Sequence, residues 1–176
     1  MKNKINLLEK ELSRIPNPGI EEFTIWHLKN SVLDCFWNDP SSYSGKNHNG
    51  ESRLEHTKQA FLIGEALNDV YIANPIIASE ALSAILLHDG QCYNAGGYTN
   101  LNHGELMAEL LETDPPTTHI SEDSKNRIAN AVRHHMSWWS IEAVDWRDES
   151  YATRVTVLAD YLSTRKTFKL VPIPYP

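Results

Sequence analysis

The sequence predicts an all-α protein, one helical bundle of about six or seven helices across residues 1–176, each segment fitting a usual helix length of about 8 to 20 residues. Three observations predict it. Apolar residues recur at three- and four-residue spacing in one segment after another. Strand-type alternation is weak throughout, and the segments are parted by short stretches rich in polar residues, proline or glycine.

Taken in order, Ile5, Leu8 and Leu12 mark an N-terminal helix, which with its linker occupies residues 1–20. Phe23, Trp26, Val32, Leu33 and Phe36 predict a second helix reaching Trp37, and Leu54, Phe61, Ile63 and Leu67 a third. Ile77, Ala78, Ala81, Leu82, Ile85 and Leu86 predict a fourth helix, followed by one carrying Leu106, Leu110 and Leu111. Glu122-Asp123-Ser124 places acidic and capping groups ahead of Ile128, Ala131 and Val132. Val155, Leu158 and Leu162 close the bundle, and the proline-rich residues 167–176 read as an extended tail. Loops near Pro40 to Gly50, Gln91 to Asn102 and Ser137 to Ser150 are polar and aromatic, the setting in which active-site parts often lie.

At 176 residues the chain is long enough to bury a core without disulfides or a structural metal. Cys35 and Cys92 are the only cysteines and lack Cys-x-x-Cys spacing, so a reducing cytoplasm is the expected setting and any metal must be held by nitrogen and oxygen. Apolar runs such as Ala84-Ile85-Leu86-Leu87 are far too short to span a bilayer, and no membrane association is expected. A net charge of −7, with no basic block longer than Arg165-Lys166, argues against a protein that holds duplex nucleic acid through many phosphates. Small anionic substrates are compatible with that total, because a locally positive pocket can attract them. A homo-oligomer is the default expectation for a soluble enzyme.

The chemistry-bearing residues are histidines and aspartates next to apolar runs. His56 stands in Leu54-Glu55-His56-Thr57-Lys58, His88-Asp89 follows Ile85 to Leu87, His103 stands in Asn102-His103-Gly104-Glu105, and His134-His135 end the Ile128 helix. Asp160 lies inside Val157-Leu158-Ala159-Asp160. A carboxylate in such surroundings is costly unless it is paired, hydrogen-bonded or metal-bound. Imidazoles and carboxylates converging from several helices suit divalent first-row metals such as Fe, Mn, Co, Ni or Zn.

His56, then His88-Asp89, then Asp160, in that order on helices, resembles the His, His-Asp, Asp signature of the HD-domain phosphohydrolase superfamily. Ser44-Gly45-Lys46-Asn47-His48 and Ala159-Asp160-Tyr161-Leu162-Ser163-Thr164-Arg165-Lys166 resemble a small-protein branch of it found in phage and prokaryotic genomes. That branch commonly carries two glycines before the leucine of its first motif, where this chain has Ser52-Arg53.

The resemblance implies a single HD domain in which His56, His88, Asp89 and Asp160 hold one metal. A second is expected on His103 and on one or both of His134 and His135, bridged by Asp89. The implied activity is hydrolysis of a nucleotide, a nucleoside mono- or triphosphate, by metal-activated water, with His88 and Asp89 central to catalysis. Lys46, Lys58 and Arg165 are the expected phosphate anchors, with Lys46 favoured, and His48 and Trp138 further expected substrate contacts. Two other chemistries fit similar ligand lists. One is phosphodiesterase action on cyclic dinucleotides or oligonucleotides, although the Gly-Tyr-Pro element of the HD-GYP group is absent. The other is a di-iron oxygenase of the myo-inositol oxygenase type.

Overall fold

Two prolines set where two of the helices begin. In the computed structural model, which describes residues 2–39, 51–71, 74–91, 100–113, 119–137, 145 and 149–165, Pro18 and Pro75 open the helices Pro18–Asn30 and Pro75–Leu87. There the missing N–H of proline would have been unsatisfied anyway. Asn17 and Asn74 cap the same helices by accepting from the N–H of Ile20 and Ile76.

Among the described residues the helices are α1 (Lys2–Ile5), α2 (Glu9–Leu12), α3 (Pro18–Asn30), α4 (Cys35–Asn38), α5 (Arg53–Tyr71), α6 (Pro75–Leu87), α7 (His103–Thr113), α8 (Glu122–Arg133) and α9 (Tyr151–Ser163). A 3-10 turn, Asn6–Leu8, joins α1 to α2. Six of these helices have eleven residues or more, and no strand occurs among the described residues, so the chain is an all-α bundle. No helix among those residues is long and apolar enough to cross a membrane. The tail at 167–176 lies outside the described residues.

Two expected helices are broken. The first divides at Leu8, whose φ of −116° and ψ of 11° leave the helical region; the kink lets Leu8 and Leu12 both reach the core. The second stops at Asn30 and resumes as α4, because the backbone turns at Ser31 so that the Leu33 N–H bonds the Gly90 carbonyl, tying this turn to the end of α6.

From Ser79 to Leu87 every residue of α6 is buried, the pattern of a helix surrounded by others. It packs against α3, α5, α8 and α9, while α5 lies along α9 and α7 along α8. Its polar residues are satisfied internally. Ser83 bonds Thr24 at 2.7 Å, and Glu80, 1% exposed, receives two bonds of 2.8 Å from Arg127. The central helix therefore delivers its C-terminal residues, His88 and Asp89, into the middle of the bundle.

His27 is a core residue, packed on Phe23 and Trp26 with Nδ1 bonded to Ser31 Oγ at 2.9 Å. Burial lowers its pKa from 6.5 to about 4. A histidine held neutral in the fold but free to protonate when unfolded stabilises the protein above pH 6.5, and that contribution is lost as pH falls from 6.5 to about 4. Thermal unfolding followed across this window is expected to show a falling midpoint, and His27→Leu is expected to flatten the fall. An equally steep fall in the variant would remove His27 as its cause.

Candidate metal centre

Five helices, α5 to α9, each bring one or two polar side chains to a common point. His56 comes from the first turn of α5, His88 is the C-cap of α6 with Asp89 next to it, His103 opens α7, His135 follows the end of α8, and Asp160 sits near the end of α9. His56, His88, His103 and His135 are 3% exposed or less, whereas the side chains of Asp89 and Asp160 are 14% and 19% exposed. The cluster therefore meets solvent on its carboxylate side.

The donors fall into two halves. In one, His56 Nε2 lies 3.3 Å from His88 Nε2 and 3.0 Å from Asp160 Oδ1, with His88 Nε2 3.7 Å from the same oxygen. In the other, His103 Nε2 lies 2.9 Å from His135 Nε2 and 3.2 Å from Asp89 Oδ1. Asp89 stands between, with Oδ2 turned to the first half, 3.7 Å from His88 Nε2 and 4.0 Å from His56 Nε2. Ligand atoms of His56, His88 and Asp160, and again of His88, Asp89 and His135, lie within 4.8 Å of one another.

The outward nitrogens are all engaged. Nδ1 of His88, His103 and His135 faces the carbonyls of Ile85, Asn100 and Val132 at 2.7, 2.6 and 2.7 Å. A carbonyl only accepts, so each Nδ1 carries a proton. His56 Nδ1 meets Ser163 Oγ at 3.0 Å, and that hydroxyl donates its own hydrogen to the Asp160 carbonyl at 2.6 Å, so it too accepts from the ring. With Nδ1 protonated, the neutral ring presents a lone pair at Nε2. Two Nε2 atoms facing each other at 3.3 Å, and two more at 2.9 Å, are compatible only with a proton or a cation between them.

Without a metal, protons serve. Burial alone would lower the pKa of His56, but its hydrogen bond to Asp160 and the charges of Asp160 and Asp89 overcome this and raise it. His103 is raised against burial in the same way, mainly by Asp89. Burial, reinforced by the neighbouring His103 and His88, lowers His135 to about 3. Against the raising effect of burial, His56 and His88 hold Asp160 at about 2, and His88, His103 and Arg53 hold Asp89 well below the usual carboxylate range. The donor set fits a divalent transition metal. It consists of nitrogen and oxygen without thiolate, its imidazoles are oriented by outer hydrogen bonds, and its spacings suit ligand bonds of about 2.0–2.1 Å.

His56, His88, Asp89, His103, His135 and Asp160 thus come together, and His134 does not join them. His134 is the half-buried C-cap of α8, and among the described residues its side chain makes no hydrogen bond or ion pair with any of the six. Lys58 pairs with Glu55 at 3.7 Å. Arg165 folds over the Tyr161 ring at 3.9 Å and donates to the Tyr161 carbonyl, so both expected anchors have partners on or beside their own helices. Lys46, His48 and Trp138 lie outside the described residues.

Three residues of the centre were not singled out as site residues by the sequence. Arg53, 1% exposed, donates from Nε to Asp89 Oδ2 at 3.3 Å; its place three residues before His56, on the same helical face, is the signal that could have found it. Ser163 orients His56 from a position three residues after Asp160. Gly104 lets α7 approach α8, for a Cβ there would lie 2.8 Å from the Val132 carbonyl and 3.1 Å from His135 Nδ1. Gly104→Ala is expected to cost about 1–3 kcal/mol and to loosen the His135 bond to Val132. Thermal unfolding, with histidine NMR to follow that ring, checks this; an alanine variant of unchanged stability and His135 tautomer would contradict it.

No protein-family model, no curated protein and no solved structure matches this chain.

Proposed function

We propose that the protein is a metal-dependent phosphohydrolase of the HD-domain kind, with a centre able to hold two divalent metals and a nucleotide as substrate. One observation carries the metal reading: the two facing Nε2 pairs, each ring fixed by a protonated Nδ1, set beside two carboxylates. The order of His56, His88-Asp89 and Asp160 on α5, the end of α6 and α9 supports the phosphohydrolase reading, and the nucleotide follows from the same resemblance.

Divalent metals bound there would supply Lewis acidity toward a phosphoryl oxygen and a water acidic enough to attack at neutral pH. The protein's own groups do the rest. The four imidazoles hold their Nε2 atoms inward, and the partly exposed Asp89 and Asp160 orient water and face incoming substrate. Because each ring uses Nδ1 on a fixed acceptor and Nε2 on the centre, none of the four is free to protonate a leaving group. That proton therefore comes from solvent or from a group outside the cluster.

The deciding experiment is metal analysis of the purified chain together with a nucleotide and cyclic-dinucleotide panel assayed with Mn, Co, Fe, Ni and Zn. Metal-dependent phosphate release from a nucleoside phosphate is expected; a chain that binds no metal under any condition would end this reading. Each half also offers two histidines and a carboxylate, the ligand type of non-haem iron oxygenases, which favours an oxygenase as the second reading. Turnover that stops under anaerobic conditions would select it.

Metal uptake must displace protons from His56 and His103, whose pKa values are raised. Affinity is expected to weaken as pH falls through those values, with proton release on binding measurable by calorimetry in buffers of different ionisation enthalpy. Uptake without proton release near neutral pH would contradict that protonation state.

A further inference from the structure

We propose that Arg133 is the positioning residue of the His103–His135 half: by gripping Glu105 and Glu112 it fixes the register of α7 on α8, and so keeps the two rings at ligand spacing. The proposal rests on the metal-centre reading above. His103 opens α7, and Arg133 ends α8 two residues before His135. Among the described helices α7 packs chiefly on α8, so one interface sets where these rings stand relative to each other.

Met107, Ala108 and Leu111, all fully buried, hold α7 down. Apolar burial is non-directional, so by itself it lets a helix slide or turn on its neighbour. Hydrogen bonds are directional and remove that freedom. Glu105 and Glu112 stand two turns apart along the same side of α7. Arg133 Nε lies 3.1 and 2.9 Å from the two oxygens of Glu105, and its Nη2 lies 3.0 Å from each oxygen of Glu112. One guanidinium from α8 therefore grips α7 at two points. Exposed ion pairs usually contribute little, but well-formed arginine–carboxylate contacts within a network are the exception, and the Arg133 side chain is only 22% exposed.

The rings cannot absorb a slip of the helices. Nδ1 of His103 is tied to the Asn100 carbonyl and Nδ1 of His135 to the Val132 carbonyl, each within its own segment. A change of register therefore becomes a change in the 2.9 Å spacing of the two Nε2 atoms. His56, His88 and Asp160 come from α5, the end of α6 and α9, which pack on one another, so their spacing does not depend on α7. Arg133 touches none of the ligands and acts only through the helices that carry them.

The test follows the histidine ring NMR signals of the metal-free full chain, then counts Mn(II) bound per chain and its affinity. In Arg133→Met the His103 and His135 signals are expected to shift while those of His56 and His88 stay in place. The second Mn(II) is expected to bind about tenfold more weakly or worse, the loss seen when outer partners of ligands are removed, and the first to be little changed. Arg133→Lys, a point charge without the planar fork, is expected to fall between Arg133→Met and the parent. Arg127→Ala is the control for plain destabilisation: it breaks an ion pair from α8 to Glu80 of α6, and is expected to leave the His103 and His135 signals unmoved.

Unmoved His103 and His135 signals in Arg133→Met, or signals moved as far by Arg127→Ala, overturn the proposal. Should Arg133→Met fail to fold by circular dichroism, Glu112→Ala takes its place, with the same expected result and the same overturning one. A parent that binds no Mn(II) fails the metal-centre reading, while the ring signals still decide whether Arg133 sets the His103–His135 pair.

Discussion

Under the proposed phosphohydrolase function, His88→Ala is expected to lower metal-dependent phosphate release by more than about a thousandfold, equivalent to about 4 kcal/mol of lost transition-state stabilisation, and to lower bound metal in parallel. His88 has the most central donor atom of the cluster. Its Nε2 lies 3.3 Å from His56 Nε2 and 3.7 Å from both Asp160 Oδ1 and Asp89 Oδ2, and its ring packs edge-on against His135 at 5.0 Å. Alanine removes a nitrogen that both groups of converging donors use. The fold should survive, since what α6 loses at this position is one bond from Nδ1 to the Ile85 carbonyl, worth about 1 kcal/mol. Metal content, turnover and the unfolding midpoint of the metal-free variant are measured together. A variant that retains metal and turnover would remove His88 from the centre.

The residues that cluster were legible because each announces itself locally. His88-Asp89 interrupts the most apolar run of the chain, and Asp160 sits among Val157, Leu158 and Ala159, where a carboxylate without a partner would be expensive. Helical periodicity located the six long helices for the same reason, since burial of one face leaves a three-to-four-residue imprint. What could not be read depends on contacts distant in sequence. The break after Asn30 exists because Leu33 bonds Gly90, and the role of Arg53 depends on Asp89, thirty-six residues away. A lone arginine reads as a solvated surface group until its partner is known. The choice between His134 and His135 turns on backbone angles at the C-cap of α8, which composition does not encode.

Arg127→Ala is expected to destabilise the fold by about 3–5 kcal/mol, the cost of leaving a buried charge without its partner. Glu80 lies in α6 at 1% exposure and receives Arg127 Nε and Nη2 at 2.8 Å each, a bidentate pair whose arginine side is 42% exposed. That asymmetry sets the direction of the effect. Truncating the exposed partner strands the buried one, which must find water, take up a proton or unfold its surroundings. For a domain of this length the loss corresponds to a fall of about 6–20 °C in the unfolding midpoint, at about 2–4 °C per kcal/mol. Replacing both members, as Glu80→Met with Arg127→Met, should recover most of the stability, since removing both charges spares the buried desolvation. Calorimetry on the single and double variants at pH 8 separates these outcomes. A single variant as stable as the parent at pH 8 would show that Glu80 does not depend on Arg127. Because Glu80 and His88 lie two turns apart on α6, metal binding per folded chain should stay unchanged in the double variant, which keeps stability and site chemistry experimentally separate.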